Sequence, residues 1–163
     1  MNIIKRIAKL ILPKTIQVYI RKKRLVNELK RHDRLFSDSS ANQIFSTIYS
    51  KSMWGKGDDA FCSGHGSHLS THVAPYVKAV KTFLSQFEQP LIVVDLGCGD
   101  FNIGSQVQGD AQKYIACDVV PSLIERNIER FSGLGVDFRV LDITEDPLPQ
   151  GDVAIIRQVL QHL

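Results

Sequence analysis

The sequence predicts an α/β domain built on a parallel sheet and preceded by a basic helical arm. Three observations carry that prediction. From residue 91 onward, short apolar runs alternate with stretches of helical periodicity, the pattern of strand–helix–strand units. The runs at 91–95, 113–118, 136–141 and 152–156 are largely apolar, as strands covered on both faces are. Residues 1–34 carry eleven Lys and Arg against Glu28 and Asp33, a balance of +9, while the remainder carries nine against fifteen acidic residues, or −6.

The 163 residues suit one core-forming domain. Cys62, Cys98 and Cys117 form no CxxC pair, and an odd count in an ordinary globular composition favours a reducing, cytoplasmic setting. Near the N-terminus the longest apolar run is Leu10-Ile11-Leu12, cut by Pro13. It is too short for a secretory h-region or a membrane span.

The arm takes residues 1–36 and the domain residues 37–163. Ile3, Ile4, Ile7, Leu10 and Ile11 fall at helical spacing, with Lys5, Arg6 and Lys9 on the other side. A second helical stretch runs through about Glu28 to Arg31 and includes Arg21-Lys22-Lys23-Arg24. Cationic amphipathic helices of this kind lie on anionic membrane surfaces, and they also pack on a body or a partner chain. Nucleic acid is an unlikely partner, since Tyr19 is the one aromatic interleaved with the charges.

Ser37-Asp38-Ser39-Ser40 reads as a linker or cap, 41–50 as a short helix, and 51–67 as a loop rich in Gly, Ser and charge. Val73, Val77, Val80 and Leu84 mark a helix over about 70–86. Further helices are expected after Gly99, over about 121–131, and after Arg157.

The chemistry concentrates at strand ends. Val93-Val94-Asp95-Leu96-Gly97-Cys98-Gly99 is a strand running into an acidic residue and a glycine-tight turn. Gly97 and Gly99 let a ligand lie against the backbone. A dinucleotide-binding turn would place a third glycine where Asn102 stands. Asp95 would also repel a pyrophosphate. Both features point away from NAD and toward S-adenosylmethionine, a cationic nucleoside cofactor without phosphate. Asp118 ends the second strand with acceptor capacity for two ribose hydroxyls. Asp142 ends the third and would accept from an adenine amino group, with the Ile143 N–H facing a ring nitrogen and Val119 covering one adenine face. A lone GxG turn is ordinarily a structural turn. Three acidic strand ends in order behind it are far more specific.

On these residues the chain resembles the first half of a class I S-adenosylmethionine-dependent methyltransferase, a Rossmann-like fold. The resemblance extends upstream through Ile48-Tyr49, Trp54-Gly55, Ser63-Gly64 and Gly66-Ser67, as in a bacterial methyltransferase-domain branch. It also covers Gly99-Asp100-Phe101-Asn102, Asp142-Ile143-Thr144, Pro147-Leu148-Pro149, Val159-Leu160 and His162-Leu163. It implies methyl transfer to a small-molecule or glycan-type acceptor. It also implies a seven-stranded sheet in the order 3-2-1-4-5-7-6, of which this chain supplies four strands, so the chain is expected to be truncated after the fourth. Gln158 departs from the Asp such sequences carry after Arg.

In-line displacement at a sulfonium methyl needs alignment and, for a hydroxyl or amine acceptor, a base. His162 after the fourth strand is the candidate base, against the alternative of a helix residue contacting a neighbour. Arg157 would orient the acceptor or anchor a loop. Trp54 and the Ser63–Ser67 loop would form a lid over the methionine end, with Trp54 equally readable as a packing anchor. Cys62, His65, His68 and His72 have a C-x2-H-x2-H-x3-H spacing compatible with zinc, but the frame of serines and glycines around them is explained without metal. Two other readings stand beside methyl transfer: a non-catalytic remnant tethered to membrane or partner by the arm, and an NAD-dependent enzyme, disfavoured by Asn102 and Asp95.

Overall fold

A computed structural model describes residues 39–55 and 61–162, together with Lys23. The chain divides into two units, Met1–Ser40 and Ala41–Leu163, and the second holds every element below. The helices expected in the arm lie outside the described residues.

In chain order the domain runs α1 (Ala41–Ser50), α2 (Ser70–Leu84), β1 (Ile92–Leu96), α3 (Gly104–Val107), β2 (Lys113–Asp118), α4 (Pro121–Arg130), β3 (Asp137–Val140) and β4 (Val153–Ile156). Short 3-10 turns sit at His65–Ser67, Gln108–Asp110, Ser132–Leu134 and Leu160–His162. The four strands form one parallel sheet in the order β3-β2-β1-β4, the order of a Rossmann-like half. The strands fall within a residue or so of the apolar runs.

β1 lies between β2 and β4, and four of its five residues are buried, while β3 and β4 are more exposed. Alternation splits the core into two faces. Val93, Tyr114 and Ala116 pack with Val73, Val77 and Leu84 of α2, whereas Val94, Leu96, Ile115 and Cys117 form the other face with Leu141. The register sets Val93 beside Tyr114 and Asp95 beside Ala116. Tyr114 is therefore on the same face as Asp95, two register pairs below it.

Two helices expected from the sequence are shorter than expected. After Gly99 the chain turns through 100–103 before the single turn of α3. Phe101 has φ 61°, a left-handed conformation that interrupts a right-handed helix. Its ring is fully buried, with centroids 5.8 Å from Tyr114, 5.1 Å from Phe131 and 4.9 Å from Phe138. Burial of that ring against three others is what compensates the backbone cost. After Arg157, Gln158 is likewise left-handed at φ 58°, and the described residues show only the 3-10 turn.

Gly104 occupies the space beside Phe101: a Cβ there would run into the ring, whereas one at Gly109 would meet nothing within 4 Å. Gly104→Ala should lower stability by about 1–3 kcal/mol through overpacking. Gly109→Ala should stay within about 0.5 kcal/mol of the parent. Urea denaturation of the two variants checks the contrast.

Candidate functional site

β1, β2 and β3 end on Asp95-Leu96, Asp118 and, just beyond the strand, Asp142, all at the carboxyl edge of the sheet. From β1 the chain steps outward to β2 and β3 on one side and then crosses back to lay β4 on the other, a reversal of strand order that opens a crevice at that edge. A cavity of about 380 Å³ occupies it. Trp54, Ser67, Asp95, Gly97, Cys98, Gly99, Asp118, Val119, Asp142, Ile143, Arg157 and His162, the residues singled out in the sequence, all line this one cavity.

The glycine turn is held from β2. The N–H groups of Gly97 and Cys98 both donate to the Cys117 carbonyl at 2.9 Å. Gly97 and Gly99 have φ 80° and 56°, the left-handed region that favours glycine. Side chains would not fit either: a Cβ on Gly97 would meet Val159 Cγ2, and one on Gly99 would meet Ser63 Oγ. Cys98 sits between them with its Sγ 3.8 Å from the Gly99 carbonyl, and burial keeps its thiol protonated by raising its pKa.

Asp118 is buried, with Oδ2 accepting from Gly99 N at 3.0 Å and Oδ1 from Val120 N at 3.2 Å. These two bonds fix the carboxylate and leave lone pairs on both oxygens for two further donors. Burial raises its pKa to about 6 against the pull of the backbone N–H groups. Asp95 is buried beside it and accepts from Tyr114 Oη at 3.0 Å. Burial, opposed by the Tyr114 hydrogen bond and aided by the Asp118 charge, pushes Asp95 up to about 7. Two carboxylates with no cation bonded to either among the described residues make this end of the cavity receptive to positive charge.

Asp142 is more open. Its Oδ1 accepts from Thr144 N at 3.0 Å and Thr144 Oγ1 at 2.6 Å, and its own N–H donates to Asp146 Oδ2 at 2.8 Å. The following Ile143 packs against the Val94–Leu141 group, and Val119 packs with Tyr49 and Leu123.

The 61–69 segment is pinned over the turn. Asp100 Oδ2 accepts from Ser63 N at 2.8 Å and is 2.7 Å from His68 Nε2, while Asp100 N donates to Ser63 Oγ at 2.7 Å. Asn102 Nδ2 donates to the Ser67 carbonyl at 2.7 Å. Arg157 donates to Ser67 Oγ at 3.1 Å and to the Gly66 carbonyl at 3.3 Å, with its guanidinium 5.3 Å from the Tyr76 ring centroid. Arg157 is thus a loop anchor in this structure. His68 is engaged with Asp100, and among the described residues no three His, Cys, Asp or Glu side chains are grouped to hold a metal ion.

Trp54 packs between Tyr49 at 5.2 Å and Phe45 at 5.9 Å, with the exposed His162 ring 5.6 Å away. It belongs to the cavity wall. Tyr49, Ser63, Asp100 and Tyr114 shape the site through bonds that the sequence did not announce, although Tyr49, Ser63 and Asp100 stand in the motifs of the resemblance and Ser63 begins the expected lid loop. Their partners lie 14 to 37 residues away, so no local pattern shows the bonds. One signal was present: the Asn102 that replaces the third glycine is the residue that ties down Ser67.

No protein-family model matches the chain, and no curated protein matches it. Solved structures do. The chain is similar to magnesium protoporphyrin IX methyltransferase from Synechocystis PCC 6803 with bound SAM, at 17% identity and a TM-score of 0.49, over 72% of this chain and 58% of that one. Coclaurine N-methyltransferase bound to N-methylheliamine and SAH matches at 17% identity and 0.46, over 78% and 37%. A dimethyladenosine transferase from Plasmodium falciparum matches at 21% and 0.43, over 51% and 31%. The chain spans less than two thirds of the length of each.

The raised carboxylates set a pH dependence. In the unfolded chain an Asp titrates near about 4. Between that pH and about 6 for Asp118 or about 7 for Asp95, the folded state binds more protons than the unfolded state. Their contribution to stability therefore falls as pH rises through this window and is at its least above it. Asp95→Asn should keep the Tyr114 hydrogen bond and raise the urea midpoint relative to the parent at pH 8, with a smaller gain at pH 5.

Proposed function

We propose that this chain is the cofactor-binding half of a class I S-adenosylmethionine-dependent methyltransferase. The observation that carries the proposal is the pair Asp95 and Asp118, buried at adjacent strand ends beside a glycine turn. The donor set fits the cofactor. Asp118 has acceptor capacity for vicinal ribose hydroxyls, and Asp142 and Val119 supply an acceptor and an apolar surface for a purine. Asp95 supplies negative charge for a sulfonium or ammonium. A pyrophosphate finds no welcome: the turn is ringed by carboxylates, and α3 is a single turn.

S-adenosylmethionine supplies an electrophilic methyl on sulfur. The protein's share is to hold, orient and exclude water. The pinned 61–69 loop, Arg157 and the Phe45–Trp54 wall close over the turn. In this reading His162, exposed on the cavity wall, takes a proton from an incoming hydroxyl or amine. The acceptor in this reading is a small molecule or a glycan. The charge balance of +9 in residues 1–34 supports contact of the arm with an anionic membrane at its cytoplasmic face, and no described helix is long and apolar enough to cross one.

Trp54 is the single tryptophan and lines the cavity, so its fluorescence reports binding directly. Titration with S-adenosylhomocysteine should saturate, and Asp118→Ala should weaken it by at least about tenfold through loss of charge-assisted hydrogen bonds. Equal affinity in the variant would contradict the assignment.

A further inference from the structure

We propose that Phe45, Trp54 and His162 form the acceptor subsite and select a flat aromatic ring that is neutral or cationic; this rests on the methyltransferase reading above. The three rings come from α1, from the segment just after it and from the turn after β4. Their centroids are 5.9 Å apart for Phe45 and Trp54, 5.9 Å for Phe45 and His162, and 5.6 Å for Trp54 and His162. At such separations the rings touch one another. Tilted at 50°, 84° and 39° to one another, they make one continuous aromatic wall, not a cage around a small ion. Tyr49 stands edge-on behind Trp54 at 82° and stiffens it.

Phe45 and Trp54 pack in the same group as Val119, and the wall runs on from there to His162. Asp118, Val119 and Asp142 stand at the β2 and β3 ends, whereas His162 follows β4 on the opposite side of β1. Phe45 and Trp54 are half-buried and His162 is exposed, so the surface is open to a ligand. A planar ring can stack on one of these faces while meeting a tilted neighbour edge-on, so it gains ring–ring interactions as well as apolar burial. Gln158 and Gln161 line the same cavity and offer hydrogen bonds to a hydroxyl or amine on that ring.

Charge narrows the class. Among the described residues, Asp95, Asp100, Asp118 and Asp142 line the cavity against one guanidinium, that of Arg157, which Ser67, Gly66 and Tyr76 hold in place without cancelling its charge. An anionic acceptor meets repulsion, while a protonated amine meets carboxylates and aromatic faces. The acceptor class is therefore an aryl or heteroaryl phenol or amine.

Saturation-transfer NMR on the full chain with saturating S-adenosylhomocysteine tests this, using tyramine, benzoate and methyl β-D-glucopyranoside as probes. Tyramine should bind, and benzoate and the glucoside should bind at least about tenfold more weakly. Phe45→Leu should weaken tyramine by about tenfold while Phe45→Tyr, which keeps the ring, restores it. The circular dichroism spectrum and urea midpoint of each variant, measured separately, show that its fold is intact. Preference for the glucoside or benzoate, or tyramine binding unchanged in Phe45→Leu, overturns the inference while leaving the methyltransferase reading standing. Failure of the parent to bind S-adenosylhomocysteine overturns that reading and the inference with it.

Discussion

Two carboxylates buried side by side at the ends of β1 and β2 are the constraint around which the domain is arranged. Neither has a cationic partner among the described residues; each is held instead by a neutral donor, Tyr114 for Asp95 and the Gly99 and Val120 amides for Asp118. Burial of charge without a counter-ion is costly and raises both pKa values. Such a cost at the carboxyl edge of a parallel sheet makes sense as a site waiting for donors and positive charge. The glycine turn follows from the same need. Gly99 must present its N–H to Asp118 while Ser63 closes over it, and no Cβ fits between them.

A second layer of contacts converts the open sheet edge into a cavity. The Ser63–Asp100 pair exchanges two backbone-to-side-chain bonds across 37 positions, and Asn102 and Arg157 hold Ser67 from either side. The loop is thereby tied to the turn and to the residue after β4 together. The left-handed Phe101 and Gln158 stand at the two places where the chain leaves β1 and β4 for that layer. Backbone strain concentrated there is consistent with a site whose geometry is set by the surrounding packing.

Much of this was legible in the linear sequence, for a physical reason. Strand ends and tight turns are local: Asp95, Asp118 and Asp142 follow apolar runs, and Gly97 and Gly99 are marked by residue type alone. The sheet followed from the apolar runs because central parallel strands are buried on both faces. The helix expected after Gly99 shrank to one turn because Phe101 adopts a conformation that its residue type disfavours, stabilised by Tyr114, Phe131 and Phe138 from distant segments. Tyr49, Ser63 and Asp100 were visible as motif residues, but the bonds they make were illegible for the same reason, since each depends on a partner brought near only by the fold. Arg157 was read as either acceptor guide or anchor, and its hydrogen bonds to Ser67 and Gly66 make it an anchor here.

The central claim is that this edge holds a cationic, phosphate-free adenosyl group. Competitive equilibrium titration of the chain with S-adenosylmethionine against NAD+ tests it most directly. The account predicts saturable S-adenosylmethionine binding that NAD+ fails to displace and that weakens as pH falls through about 7 and then about 6, where Asp95 and then Asp118 take up protons. Displacement by NAD+ at comparable concentration, or affinity that is unchanged by protonating the two carboxylates, would contradict it.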